Sequence, residues 1–164
     1  MKNLFIICFV VLSTTVFAQS ITDFSKIKLE SDTDYKAANN YVLEASNFVL
    51  STPYEKDNVQ RLNAIRFVLQ WMAGTPDFTF SLDATIMDKV VKGNDDLLGL
   101  YMICMTKYCL ENKDSSKDEK LVKLNSVKLI LTYCENSENN IKMPKPLKKL
   151  SEANKKGELE KELQ

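Results

Sequence analysis

From Ser31 onward, apolar residues recur three and four positions apart, and the chain reads as a succession of helices. The first starts at Ser31 or Asp32, carries Ala38, Tyr41, Val42, Ala45, Phe48 and Val49 on one face, and stops at Thr52-Pro53. A second is predicted from about Glu55 to Ala73, with Val59, Leu62, Ile65, Val68, Leu69 and Met72 as its stripe and Gly74 as a left-handed cap. A short third runs from about Ala84 to Lys92, capped by Asp83 and ended by Gly93; Asn94 then caps a fourth. That fourth segment, 95-DDLLGLYMICMTKYCLEN-112, has only Lys107 as a charge between Asp96 and Glu111, so it should lie buried at the centre. A fifth helix, about Asp118 to Cys134, places Leu121, Leu124, Val127, Leu131 and Cys134 on one face. A last one from about Pro146 has Leu147 and Leu150 as apolar points and is expected to fray into a partly disordered charged end.

Five to six helices joined by short connections and read as antiparallel hairpins describe an all-α domain, packed as a bundle or as a short solenoid. Leu98, Gly99 and Tyr101 are faintly similar to a tetratricopeptide first helix, but no second copy stands in register. The organisation expected is a signal peptide over 1–18, an extended arm over 19–31, a helical domain over 32–145, and an amphipathic helix with a charged tail over 146–164. In the arm, Ile27 and Leu29 alternate with lysines and a glutamate, a weak strand signal.

The start, MKNLFIICFVVLSTTVFAQS, has a lysine, an apolar run from Leu4 to Leu12, and Val16-Phe17-Ala18 in the arrangement a signal peptidase accepts. Cleavage near Ala18 is expected, giving an exported protein in the periplasm or the medium. Cys8 lies inside the apolar run, not after it, and would be lost with it instead of carrying a lipid. The run is shorter than the roughly 20 apolar residues a span needs, and no later stretch is apolar enough. Removing 18 of 164 residues leaves 146, enough for one domain.

Charge narrows the partners. The chain has 22 basic and 22 acidic side chains, so no global field recruits nucleic acid or an anionic membrane. Residues 142–164 nevertheless hold seven lysines against four glutamates. Three cysteines follow the signal peptide, Cys104, Cys109 and Cys134. The first two, five apart on one helix, have Cα atoms about 8 Å apart and diverge; hairpin pairing puts Cys134 roughly 13 Å along the axis from Cys104. No internal disulfide is expected; all three read as small apolar core residues.

The chain contains no histidine, which removes Ser-His and Cys-His nucleophile pairs, histidine-ligated zinc and the usual neutral-pH base. There is no Cys-x-x-Cys and no glycine-rich phosphate loop, and 112-NKDSSKDE-119 lacks the spacing and glycine of an EF-hand. No catalytic set, cofactor or metal is therefore assigned. Carboxylate chemistry survives, with Asp77 and Asp83 as its candidates if both face one cleft; Asp95 and Asp96 read as first-turn acids complementing a helix dipole.

The block 61-RLNAIRFVLQWMAGTPDFTFSLD-83 holds the only tryptophan. In one reading Trp71 closes a helix face and Phe78, Phe80 and Leu82 clip over the bundle. In the other, Trp71, Phe78 and Phe80 stand exposed as a binding surface flanked by Asp77 and Asp83. The segment 67-FVLQWMAGTPDFTFSLD-83 resembles a pattern in small exported helical proteins of Gram-negative bacteria that carry no assigned activity. The resemblance implies an exported α-helical protein and transfers no site. The leading expectation is a non-catalytic protein that binds an envelope or extracellular protein. The alternatives are a carboxylate enzyme or enzyme accessory at Asp77 and Asp83, or a carrier with an apolar pocket beside Met72, Met102 and Phe80.

Overall fold

The structure, a computed structural model, describes residues 22–164; the expected signal peptide with Cys8, its expected cleavage site and the first residues of the expected arm lie outside the described residues. Eight helices follow in order: α1 (Asp32–Ala37), α2 (Asn39–Ser51), α3 (Val59–Gly74), α4 (Ala84–Ile86), α5 (Asp95–Glu111), α6 (Glu119–Glu135), α7 (Lys145–Lys155) and α8 (Leu159–Glu162). No strand occurs among the described residues. The architecture is an all-α bundle, with α5 packed against α2, α3 and α6. No helix among the described residues is long and apolar enough to cross a membrane.

The helix starts obey local chemistry. Ser31 and Asp34 form a capping box, each side chain taking the other's backbone N–H. Asn58, Asp83, Asn94 and Asp118 cap α3, α4, α5 and α6. Each satisfies amides that the first turn leaves without a partner. The first predicted helix is interrupted at Ala38, so α1 and α2 meet end to end. Helix α4 runs into a π-helical turn, Met87–Val91, whose exit puts Lys92 (φ 47°) and Gly93 (φ 72°) in the left-handed region. Glycine fits the second of those positions without Cβ strain.

Helix α5 is the centre, as its sequence required. Leu97, Leu100, Ile103, Cys104 and Met105 are among its buried residues, and Lys107 reaches out to Asn47 and Glu111. Cys104, Cys109 and Cys134 are free and buried. Burial pushes the Cys104 thiol far up, and likewise raises Cys109 to about 11 and Cys134 to about 12. Thiolate, the reactive form, is therefore scarce at neutral pH. In the native protein all three thiols should resist alkylation at pH 8, and all three should react after denaturation under non-reducing conditions. Recovery of a single thiol would contradict the packing described.

Several expectations are corrected. In α3 the buried face is Arg61, Ala64, Phe67, Val68, Trp71 and Met72, whereas Val59 and Leu62 are 67% and 45% exposed. The two large aromatics one turn apart set the rotation, and the aliphatic residues yield to them. In α6 the face is likewise turned: Val122, Val127, Ile130, Leu131 and Cys134 are buried, but Leu121 is exposed. Gly74 has no positive φ; a Cβ there would fall 2.2 Å from the Tyr35 ring, so glycine serves the close approach of α1 to α3. Within the segment expected as an extended arm, Phe24–Lys26 form a short 3-10 turn, with Phe24 buried and stacked on Phe67 at 5.5 Å. The charged end does not fray: Leu159 and Leu163 are buried, and Lys89 binds the Glu162 carboxylate at 3.7 Å.

Candidate functional site

Trp71 closes the last turn of α3 with no exposed surface, and its indole Nε1 donates to the Tyr35 carbonyl at 2.9 Å. Pro76 follows the helix end, and the chain runs without regular structure to Asp83. Phe78 and Phe80 return onto Trp71, with ring centroids 5.6 and 6.1 Å from the indole and 6.2 Å from each other. This is the clip. Of the proposed binding surface, Trp71 offers nothing to solvent and Phe78 and Phe80 are half-buried against it. Leu82, expected to continue the clip, is 41% exposed because the backbone there is already turning into the Asp83 cap.

With two phenylalanines facing inward at alternate positions, the residues between them face out. Thr79 and Ser81 wall a cleft of about 340 Å³ whose other side is the first turns of α6. Its apolar floor comes from Ile86, Met105 and Val122, with the buried Tyr101 among them. Tyr54, Tyr108 and Tyr133 all place their hydroxyls on hydrogen-bond partners. Tyr101 is the most buried tyrosine at 1% exposure, and its hydroxyl, bonded to none of the described residues, is not sealed from solvent. Burial pushes the Tyr101 pKa well above the ordinary phenol value, and Asp83 nearby adds to this, so the group stays a protonated donor.

Asp83 and Lys123 close one edge of the cleft, their charged atoms 2.6 Å apart. Burial works to raise the Asp83 pKa, but the Lys123 ammonium and the Ile86 amide outweigh it, and the net shift is downward. A folded carboxyl held below its unfolded value, about 3.9, contributes stability that is present above pH 4 and lost as pH falls through the lowered folded value. Asp83→Ala should cost about 1 kcal/mol at pH 7, mostly the lost cap, and the difference from wild type should shrink toward pH 2. Urea titrations at the two pH values check this; a cost that grows on acidification would contradict it.

Asp77 belongs elsewhere. Its carboxylate lies 3.7 Å from Lys36 on α1 and does not wall the cleft. The two aspartates that sequence offered as an acid pair are thus each held by a different lysine, without the shared cleft that acid and base need. The apolar pocket expected beside Met72, Met102 and Phe80 is likewise not the cleft found, whose wall contains none of them. Tyr101, Lys120 and Lys123 were not singled out from sequence. In the sequence Tyr101 entered only beside Leu98 and Gly99, in a faint similarity to a tetratricopeptide first helix.

A second polar cluster sits at the far end of α5. Arg61 is 3% exposed, and its Nη1 donates to the carbonyls of Val49 and Thr52 and to the Thr52 hydroxyl. Its guanidinium lies 5.9 Å from the Tyr54 ring centroid and 5.4 Å from that of Tyr133. Tyr133 donates to the Thr52 carbonyl and Tyr54 to Asp96. The cation thus satisfies the C-terminal carbonyls of α2, where a helix dipole favours positive charge. Burial lowers its pKa, though a guanidinium remains charged. This cluster joins α2, α3, α5 and α6; a cavity of only about 130 Å³ lies beside it. Among the described residues no group of three acidic or cysteine side chains is placed to hold a metal ion. No family model, curated protein or solved structure matches the chain, and its function is argued from the cleft itself.

Proposed function

We propose that this chain is an exported, non-catalytic protein that binds a small ligand in the cleft between the Thr79–Ser81 side of the clip and α6. The observation that carries the reading is a cleft of about 340 Å³ with an apolar floor, lined by Tyr101, whose hydroxyl bonds to none of the described residues and is open to solvent. Ligand sites have this mixture of apolar lining and a few directed polar groups, and volumes of about 300–1,000 Å³. A partner protein, the expectation from sequence, would need roughly 800 Å² of its own surface covered, for which a cleft of this size is too small on its own. Catalysis by paired carboxylates finds no support in the separated Asp77 and Asp83.

Export rests on the first eighteen residues, and intact mass of the secreted chain should begin at Gln19, cyclised or not. A lipid-modified cysteine would overturn it. The binding reading is tested by native mass spectrometry of protein recovered from the exported fraction, wild type against Ser81→Trp, which fills the cleft from an exposed position. A noncovalent adduct on the wild type that is missing from an equally stable variant supports the cleft. The same adduct on both proteins, or none on either, contradicts it.

A further inference from the structure

The chemical class of the ligand follows from which polar groups in the cleft are already engaged. Asp83 is committed: one oxygen accepts the Ile86 amide and the other accepts from Lys123. Asp118, the cap of α6, takes the amides of Lys120 and Leu121, and its carbonyl takes that of Val122, so of the first-turn amides only that of Glu119 stays open. Left over are side-chain donors. They are the Tyr101 phenol, the Thr79 and Ser81 hydroxyls, and the Lys120 ammonium, which makes no ion pair among the described residues. Against them stands one carboxylate without an ion pair, Glu119, exposed at the rim.

Lys120 can only donate and the three hydroxyls can each donate as well, which suits an acceptor-rich group, and the floor of Ile86, Met105 and Val122 calls for an apolar body beside it. A sugar would set part of its hydroxyls against the apolar floor of Ile86, Met105 and Val122. An amine would meet Lys120 and Lys123. We infer that the cleft takes a small organic carboxylate with a short apolar body, its chain on Ile86, Met105 and Val122 and its carboxylate accepting from Tyr101 and Lys120. The apolar part is held by area removed from water. The head group is held because a carboxylate accepts a charge-assisted hydrogen bond from the phenol at the wall of the cleft.

This rests on the cleft being the binding site, and the test separates the two claims. The full mature chain, labelled with nitrogen-15, is titrated with hexanoate, with 1-hexanol as the same body without charge, and with glucose. Hexanoate is expected to shift the amides of Ser81, Tyr101, Val122 and Lys123 and to bind about tenfold tighter than hexanol, the equivalent of one charge-assisted hydrogen bond. Tyr101→Phe, which removes only the hydroxyl, should erase most of that preference. Lys120→Gln, at an exposed position, should weaken hexanoate about threefold without affecting hexanol. Equal binding of hexanol, tighter binding of glucose, or hexanoate binding that Tyr101→Phe leaves unchanged overturns the carboxylate while the cleft stands. If none of the three shifts these amides, both claims fall.

Discussion

Replacing Trp71 by alanine will destabilise the protein by about 3–5 kcal/mol, the range for deleting a large aromatic from a closed core. The position has no exposed surface, and three groups depend on the indole. Phe78 and Phe80 lose the surface they pack on, and the Tyr35 carbonyl loses the Nε1 donor. The last of these adds about 1 kcal/mol. Since folded domains hold only about 5–15 kcal/mol in total, the variant should be partly unfolded at 37 °C. Trp71→Phe keeps most of the packing and should cost about half as much, leaving the Tyr35 carbonyl to water. Urea unfolding followed by circular dichroism measures both, and a cost for Trp71→Ala below about 1 kcal/mol would mean the clip does not seat on this residue.

Arg61→Ala is expected to cost about 3 kcal/mol, although the residue makes no ion pair among the described residues. Its loss uncovers the carbonyls of Val49 and Thr52 at the end of α2 and vacates the space between Tyr54 and Tyr133. Removing the charge also removes its desolvation cost, which offsets part of the loss. Arg61→Lys separates the contributions. A lysine keeps the charge and much of the stem but not the planar fork that contacts two carbonyls and two rings, so it should recover less than half. If Arg61→Lys matches wild type, charge alone is what α2 needs; if Arg61→Ala is neutral, water has replaced the guanidinium and the cluster holds nothing together.

Helix existence and the central place of α5 could be read from the chain because α1, α3, α4, α5 and α6 each start at a capping side chain and α5 carries almost no charge. Rotation about the helix axis was harder. In α3 a count of aliphatic residues favours Leu62 and Val59, yet the volumes of Phe67 and Trp71 decide which side faces the core. Arg61 was invisible for a related reason: its burial depends on α2's exposed carbonyls, a tertiary partner with no local signature. The site was legible only as a region. Alternation in 78-FTFS-81 correctly places two aromatics on one face, but which face looks inward depends on Trp71 below it. The pairing of Asp83 with Lys123, forty residues apart, joins two surface helices whose approach no spacing records. Folding of the chain end had a similar cause, since Leu159 and Leu163 are few among charges and matter only because a surface receives them.

The central claim is that the clip turns its aromatics toward the core and its hydroxyls toward the cleft. As the only tryptophan, Trp71 reports on this directly through its emission wavelength and its quenching by acrylamide. Blue-shifted emission and strong protection are expected, unchanged in Tyr101→Phe, because the tryptophan lies beneath the clip and the cleft lies outside it. Red-shifted, readily quenched emission would contradict it: the aromatic face would then be the one offered to solvent, and the wall of Thr79 and Ser81 would not stand where the cleft requires it.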